Sequence, residues 1–209
     1  MAKESSDLLI LEGLVVTGDG VARADILVSD GKVKELGPDL SNRSAARVID
    51  ASGHYVLPGG LDSHAHPIFA DKMDTYSICA AYGGVTTVVP FIGSETHRHE
   101  LFGNHWGVRD YNPDIVKGFI EYGEQVSYTD FAIHGLITTR DTNDIGKVIP
   151  DLIRLGVISF KMFMVWNPWG ARDSRSNLLA IPDELIMQVM DLAGRDGGMA
   201  MVHAENGVC

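Results

Sequence analysis

The sequence predicts an α/β chain in which residues 55–209 build strand–helix units around a parallel sheet, behind a small β module at residues 1–54. Three observations carry this. First, short strand-like segments at 61–64, 84–91, 131–138, 157–164 and 199–203 alternate with helical stretches at 72–82, 113–125, 141–155 and from Pro182 to about Arg195–Gly198. Second, GVTTVVPF (84–91) is apolar or β-branched almost throughout, as a strand buried on both faces should be. Third, no GxGxxG turn follows the first of these strands, which weakens an open doubly wound sheet against a (β/α)8 TIM barrel. A barrel takes eight strands and typically about 250 residues. The strands counted here number about five, so the chain is expected to be the front portion of a longer one, with the barrel incomplete.

Each element has a local reason. Leu8–Leu11, Leu14–Thr17, Ala24–Val28 and Lys32–Leu36 alternate apolar with polar, and Ser29-Asp30-Gly31-Lys32 is a strong hairpin turn. A loop at Ser41–Ser44 leads to a further strand at Arg47–Asp50. So few short strands bury too little to stand alone. In the second part, Gly83-Gly84 should stop the first helix and Gly156 the third, with Asp141 or Thr142 as N-cap of the third. Pro182 opens the last helix, a position that needs no N–H donor.

Composition sets outer bounds. With 45% hydrophobic and 22% charged residues, the 209-residue chain has the make-up of a soluble globular protein. A net charge of -11 argues against nucleic acid and anionic membranes as partners. Cys79 and Cys209 make no CxxC and no disulfide framework, the N-terminus has no signal-peptide core, and no apolar run reaches a membrane span. A cytoplasmic location is expected.

The chemistry concentrates at predicted strand ends. HYVLPGGLDSHAHP (54–67) breaks at Pro58-Gly59-Gly60, resumes at Leu61 and closes on His64-Ala65-His66. Side chains two apart on a strand share a face, so both imidazoles can meet one cation. Lys161 is the only charge within VISFKMFMV (157–165). Burial disfavours an ammonium, and a neutral amine is a nucleophile that CO2 converts to an anionic carbamate; a lysine reaching out to solvent at the strand end is the plainer alternative. His203 ends MAMVH (199–203), with Glu205 and Asn206 beyond. Taken alone it reads as structural, but His64, His66, Lys161 and His203 all fall at the carboxyl ends of strands, where barrel active sites are built.

On the pieces VLPGGLDSHAH (56–66), GGVTTVV (83–89), SFKMFM (159–164) and VHAENG (202–207), the chain resembles the cyclic amidohydrolases of the dihydropyrimidinase and hydantoinase branch. The resemblance implies a TIM barrel of the metal-dependent hydrolase type, preceded at 1–54 by part of a small β-sandwich domain. It also implies two divalent metal ions, usually zinc. His64 and His66 would hold one ion, Lys161 would bridge both as its N6-carboxylate, and His203 would ligate the second. A hydroxide held between the ions would attack a ring amide or imide carbonyl. The partner is then a small cyclic amide, and the full-length protein a homo-oligomer, dimer or tetramer.

The sequence departs from that pattern in places. The family's further histidine ligand and its catalytic aspartate come from later strands. Asp62 precedes the histidine pair and does not substitute, so no catalytic acid/base is assigned and the 209 residues alone are expected to be inactive. Trp166 stands where the family usually has a substrate-binding tyrosine; its indole N–H can still donate. Ile68 replaces the arginine with which dihydroorotases hold a carboxylate. His97 and His99 lie in a charged loop and read as solvated, while His134 reads as a satisfied strand histidine. His54, His105 and Cys79 suggest packing or surface. The segment Trp166–Arg172, with Trp169, reads either as an aromatic-rich active-site loop or as a plain loop anchored by two tryptophans. Competing readings are a non-catalytic scaffold relative, an allantoinase-like enzyme, and a mononuclear deaminase that would not need Lys161.

Overall fold

A computed structural model describes residues 6–66, 71–93, 111–164 and 180–204. The chain divides into two units, Met1–Gly59 and Gly60–Cys209. The division falls after Gly59, beyond the expected 54/55 boundary, because the short strand β5 (Tyr55–Val56) pairs with the first strand of the N-terminal unit.

In that unit β1 (Ser6–Thr17), β2 (Gly20–Ser29), β3 (Lys32–Gly37) and β4 (Ala45–Asp50) form one sheet in the order β3-β2-β1-β4, with β5 also on β1. The described residues make a single sheet; the second layer of a sandwich is not among them. The two strands expected at 8–11 and 14–17 are one strand with an irregularity. The β1–β2 register shifts between Ile10 and Gly13, and Glu12 sits at φ 61°. Its N–H donates to Asp25 Oδ1 at 2.7 Å, and Oδ2 of the same carboxylate accepts from Leu40 N at 2.8 Å. The β2–β3 turn has Asp30 at φ 53° and Gly31 at φ 69°, the two left-handed residues that a tight hairpin requires.

The second unit runs β6 (Gly60–Ala65), α1 (Met73–Tyr82), β7 (Val85–Gly93), α2 (Asn112–Val126), β8 (Asp130–Phe131), β9 (His134–Leu136), α3 (Ile145–Arg154), β10 (Ser159–Phe163), α4 (Asp183–Arg195) and β11 (Met199–His203). Its sheet has the order β11-β10-β9-β7-β6, with β8 also on β7, and every pairing in it is parallel. Neighbours in the sheet follow chain order. That is singly wound α/β architecture, without the reversal of a doubly wound sheet. One apolar cluster holds Met73 of α1, Val116 and Phe119 of α2, Ile149 and Leu152 of α3, and Leu185 and Val189 of α4. Val88, Ile92, Phe160 and Met162 supply the strand side of the same cluster. By strand alternation, Phe91, Lys161 and Phe163 stand on the face turned away from the helices.

Two expectations change. The strand expected at 131–138 is split into β8 and β9 although its register on β7 is continuous: Val88 pairs Phe131, and Phe91 pairs His134. The gap lies opposite Val89-Pro90, and proline brings no N–H to a ladder. Asp144, instead of Asp141 or Thr142, occupies the N-cap position of the third helix, without a side-chain capping hydrogen bond. Asp141 closes a 3-10 turn, Thr139–Asp141, and is 2% exposed. Its Oδ2 accepts from Thr138 N at 2.8 Å, Thr138 Oγ1 at 3.2 Å and Asn112 Nδ2 at 3.3 Å.

Candidate metal centre

The glycine break before Leu61 lets β6 begin against Val85, where Gly60 N donates to Gly84 O at 2.8 Å. Further along, the β6–β7 ladder slips between Asp62 and Ala65. A one-residue slip exchanges the faces that side chains occupy. Asp62 thereby reaches Tyr76 of α1, whose hydroxyl donates to Oδ2 at 3.1 Å. The histidines that follow gather instead around Phe91 of β7. The His64 and His66 ring centroids are 5.1 Å apart, close enough for both to serve one cation after small rotamer adjustments.

Phe91 is the piece that sequence reasoning missed. It is 2% exposed. His64 meets its ring edge-on at 4.7 Å, His66 stacks on it at 4.8 Å, and His134 lies tilted against it at 4.8 Å. Lys161 Nζ stands 5.8 Å from the same centroid and 5.1 Å from that of Phe163. The available signal was alternation: Phe91 is two residues beyond Val89 at the carboxyl end of an apolar strand, the position that faces whatever the strand end serves.

Lys161 is half-buried and, among the described residues, no carboxylate pairs with it. Burial alone pushes its ammonium below the usual lysine range. His66 is also held below the ordinary histidine range, first by burial, then by the charges of His64 and Lys161. His134 is lowered mainly by burial, partly offset by its bond to the Ser63 carbonyl. Neutral imidazoles and a neutral amine are the forms that bind a cation and capture CO2.

His203 pairs with Phe163 across the β10–β11 ladder, and its ring lies 5.3 Å from that phenyl. It thus neighbours the strand that carries Lys161. Among the described residues no three His, Cys, Asp or Glu side chains converge as a metal-binding group. The structure brings the His64 and His66 rings together, sets Lys161 Nζ 5.8 Å from the Phe91 ring that both touch, and places His203 on the strand next to that of Lys161. Trp166, Trp169, Ile68, His97, His99 and His105 lie outside the described residues. A cavity of about 610 Å³, lined by Gly123, Thr129, Phe131 and Val157 among others, opens at the amino ends of the strands, away from this cluster. No helix among the described residues is long and apolar enough to cross a membrane.

Comparison with known proteins adds the lineage. No family model matches the chain. D-hydantoinase of Ralstonia pickettii is 33% identical over 208 residues, covering 96% of this chain and 40% of that protein. The crystal structure of dihydropyrimidinase from Brevibacillus agri NCHU1002 superposes with a TM-score of 0.73 at 29% identity, covering 96% of this chain and 40% of that one. L-hydantoinase (dihydropyrimidinase) from Arthrobacter aurescens gives a TM-score of 0.73 at 25% identity, over 97% of this chain and 42% of that one. The chain therefore spans about two fifths of the length of the relatives it matches. Over nearly all of its own length, the chain is similar to proteins named as hydantoinases and dihydropyrimidinases.

Proposed function

We propose that the intact gene product hydrolyses a C–N bond of a cyclic amide or imide of the dihydropyrimidine or hydantoin type, and that its sheet is the front of a (β/α)8 barrel. The observation that carries this is the gathering of His64, His66 and Lys161 about the Phe91 ring, at or near the carboxyl ends of parallel strands. Such ends are where barrel enzymes place their chemistry.

The donor set suits divalent metal, zinc above all. Two adjacent imidazoles are good zinc ligands. A half-buried lysine between two phenyl rings suits carbamate formation: the neutral amine adds to CO2, an N–C bond forms and a proton leaves. The product offers one negative charge shared by two oxygens where the ammonium would repel a cation. In this reading His64, His66, the carboxylated Lys161 and His203 would together hold the two ions. When bound, two cations lower the pKa of water between them and polarise the substrate carbonyl. Asp62 fixes the backbone of His64 by accepting its N–H at 3.0 Å. Trp166 would bind substrate through its indole N–H.

The same reading makes the protein a cytoplasmic homo-oligomer, dimer or tetramer, that takes no nucleic acid; the net charge of -11 supports the last point. The test is ring opening of hydantoin and dihydrouracil by the intact gene product, before and after chelator treatment. Turnover that chelator abolishes and zinc restores is expected. Protein that holds no metal and opens neither ring would instead make it a non-catalytic relative.

A further inference from the structure

His134 makes two side-chain hydrogen bonds that join β6 and β10, two of the strands that carry candidate ligands. Its Nε2 lies 2.9 Å from the Ser63 carbonyl oxygen on β6, and its Nδ1 lies 2.6 Å from Ser159 Oγ on β10. A carbonyl only accepts, so Nε2 carries the proton and donates, leaving Nδ1 to accept from the serine hydroxyl in the neutral ring. Each partner sits at a telling place. The Ser63 carbonyl belongs to the peptide whose N–H is that of His64, and that N–H donates to Asp62 Oδ1 at 3.0 Å. This peptide lies where the β6–β7 ladder slips between Asp62 and Ala65. Two side chains, His134 and Asp62, therefore hold its two ends and fix the angle at which the chain enters His64. Ser159 is two residues before Lys161 on the same strand, hence on the same face. The His134 ring also packs against Phe91, the ring that His64 and His66 both touch.

We infer that His134 is a positioning residue, a brace that sets the His64–His66 segment against the Lys161 strand at the spacing a shared metal centre needs. The inference rests on reading His64, His66 and Lys161 as metal ligands. It makes no use of His134 as a ligand, since its Nε2 proton is committed to Ser63. Residues that orient ligands typically change metal affinity about 10–100-fold when replaced.

The experiment is zinc affinity of the intact gene product, read by competition with a chromophoric chelator. His134→Phe keeps a ring against Phe91 and loses both hydrogen bonds. His134→Gln restores an N–H donor near the Nε2 position. His134→Phe should weaken zinc binding by about 10-fold or more, with His134→Gln recovering most of it. A merely structural histidine would lower the melting temperature and leave zinc affinity unchanged; that result overturns the inference. Should His134→Phe not fold, Ser159→Ala decides, because it removes only the Nδ1 partner. It should weaken zinc by about threefold or more, a smaller share of the same effect, and wild-type affinity there overturns the inference. Wild-type protein that binds no zinc would sink the metal reading itself, a different failure.

Discussion

Tyr76 reaches from α1 to Asp62 on β6, its hydroxyl donating to Oδ2 at 3.1 Å while Oδ1 of the same carboxylate accepts the His64 N–H at 3.0 Å. A helix on one face of the sheet thus anchors the carboxylate that aligns a histidine on the other. Burial, reinforced by the hydrogen bond and the charge of Asp62, pushes the Tyr76 phenol up from 10.0 to about 12. The folded state favours the neutral phenol, so its contribution is whole below pH 10 and is lost as pH rises toward 12. Tyr76→Phe should cost about 1 kcal/mol near neutral pH. Urea denaturation should show the gap from wild type closing between pH 10 and pH 12.

Phe91 separates stability from site chemistry. It is 2% exposed, so Phe91→Ala should cost about 3–5 kcal/mol by calorimetry. The stacked ring also helps to shield His66. Water entering the space left behind favours the charged imidazole, so the His66 pKa should rise toward the ordinary histidine value. An NMR titration of metal-free protein checks this.

In the N-terminal unit the 3%-exposed carboxylate of Asp25 holds Glu12 N and Leu40 N. Asp25→Ala strands two N–H donors, one of them at a residue with φ 61°. The expected loss is about 3 kcal/mol or more, read as a lower urea midpoint. A cost below about 1 kcal/mol would mean that water replaces the carboxylate freely.

Gly93 shows how tightly β7 and β9 approach. A Cβ there would collide with the Leu136 carbonyl oxygen and sit 2.9 Å from Leu136 Cβ. Backbone cannot give way as a flexible side chain can, so Gly93→Ala should destabilise by about 1–3 kcal/mol. Amide exchange should quicken in β9 before it does in β11.

Much of this was legible in local pattern. The two-residue spacing of His64 and His66 predicts rings side by side, and they lie 5.1 Å apart. The 199–203 strand and the Asp30-Gly31 turn also follow from short-range signals. What escaped depends on partners distant in the chain. Pro90 reads as one residue of an apolar run, yet its missing N–H coincides with a gap in the strand paired to it and with the irregular stretch of β6. Asp141 looks like a helix cap and is instead spent on Thr138 and Asn112. Phe91 looks like one more core residue, because nothing local says that three histidines and a lysine will surround it.

Metal content of the intact gene product, wild type beside Lys161→Ala, tests the central claim most directly. About two zinc ions per chain are expected, falling to about one or fewer without the Lys161 carbamate. Wild-type protein without metal, or a Lys161→Ala variant that holds the wild-type amount, would contradict it.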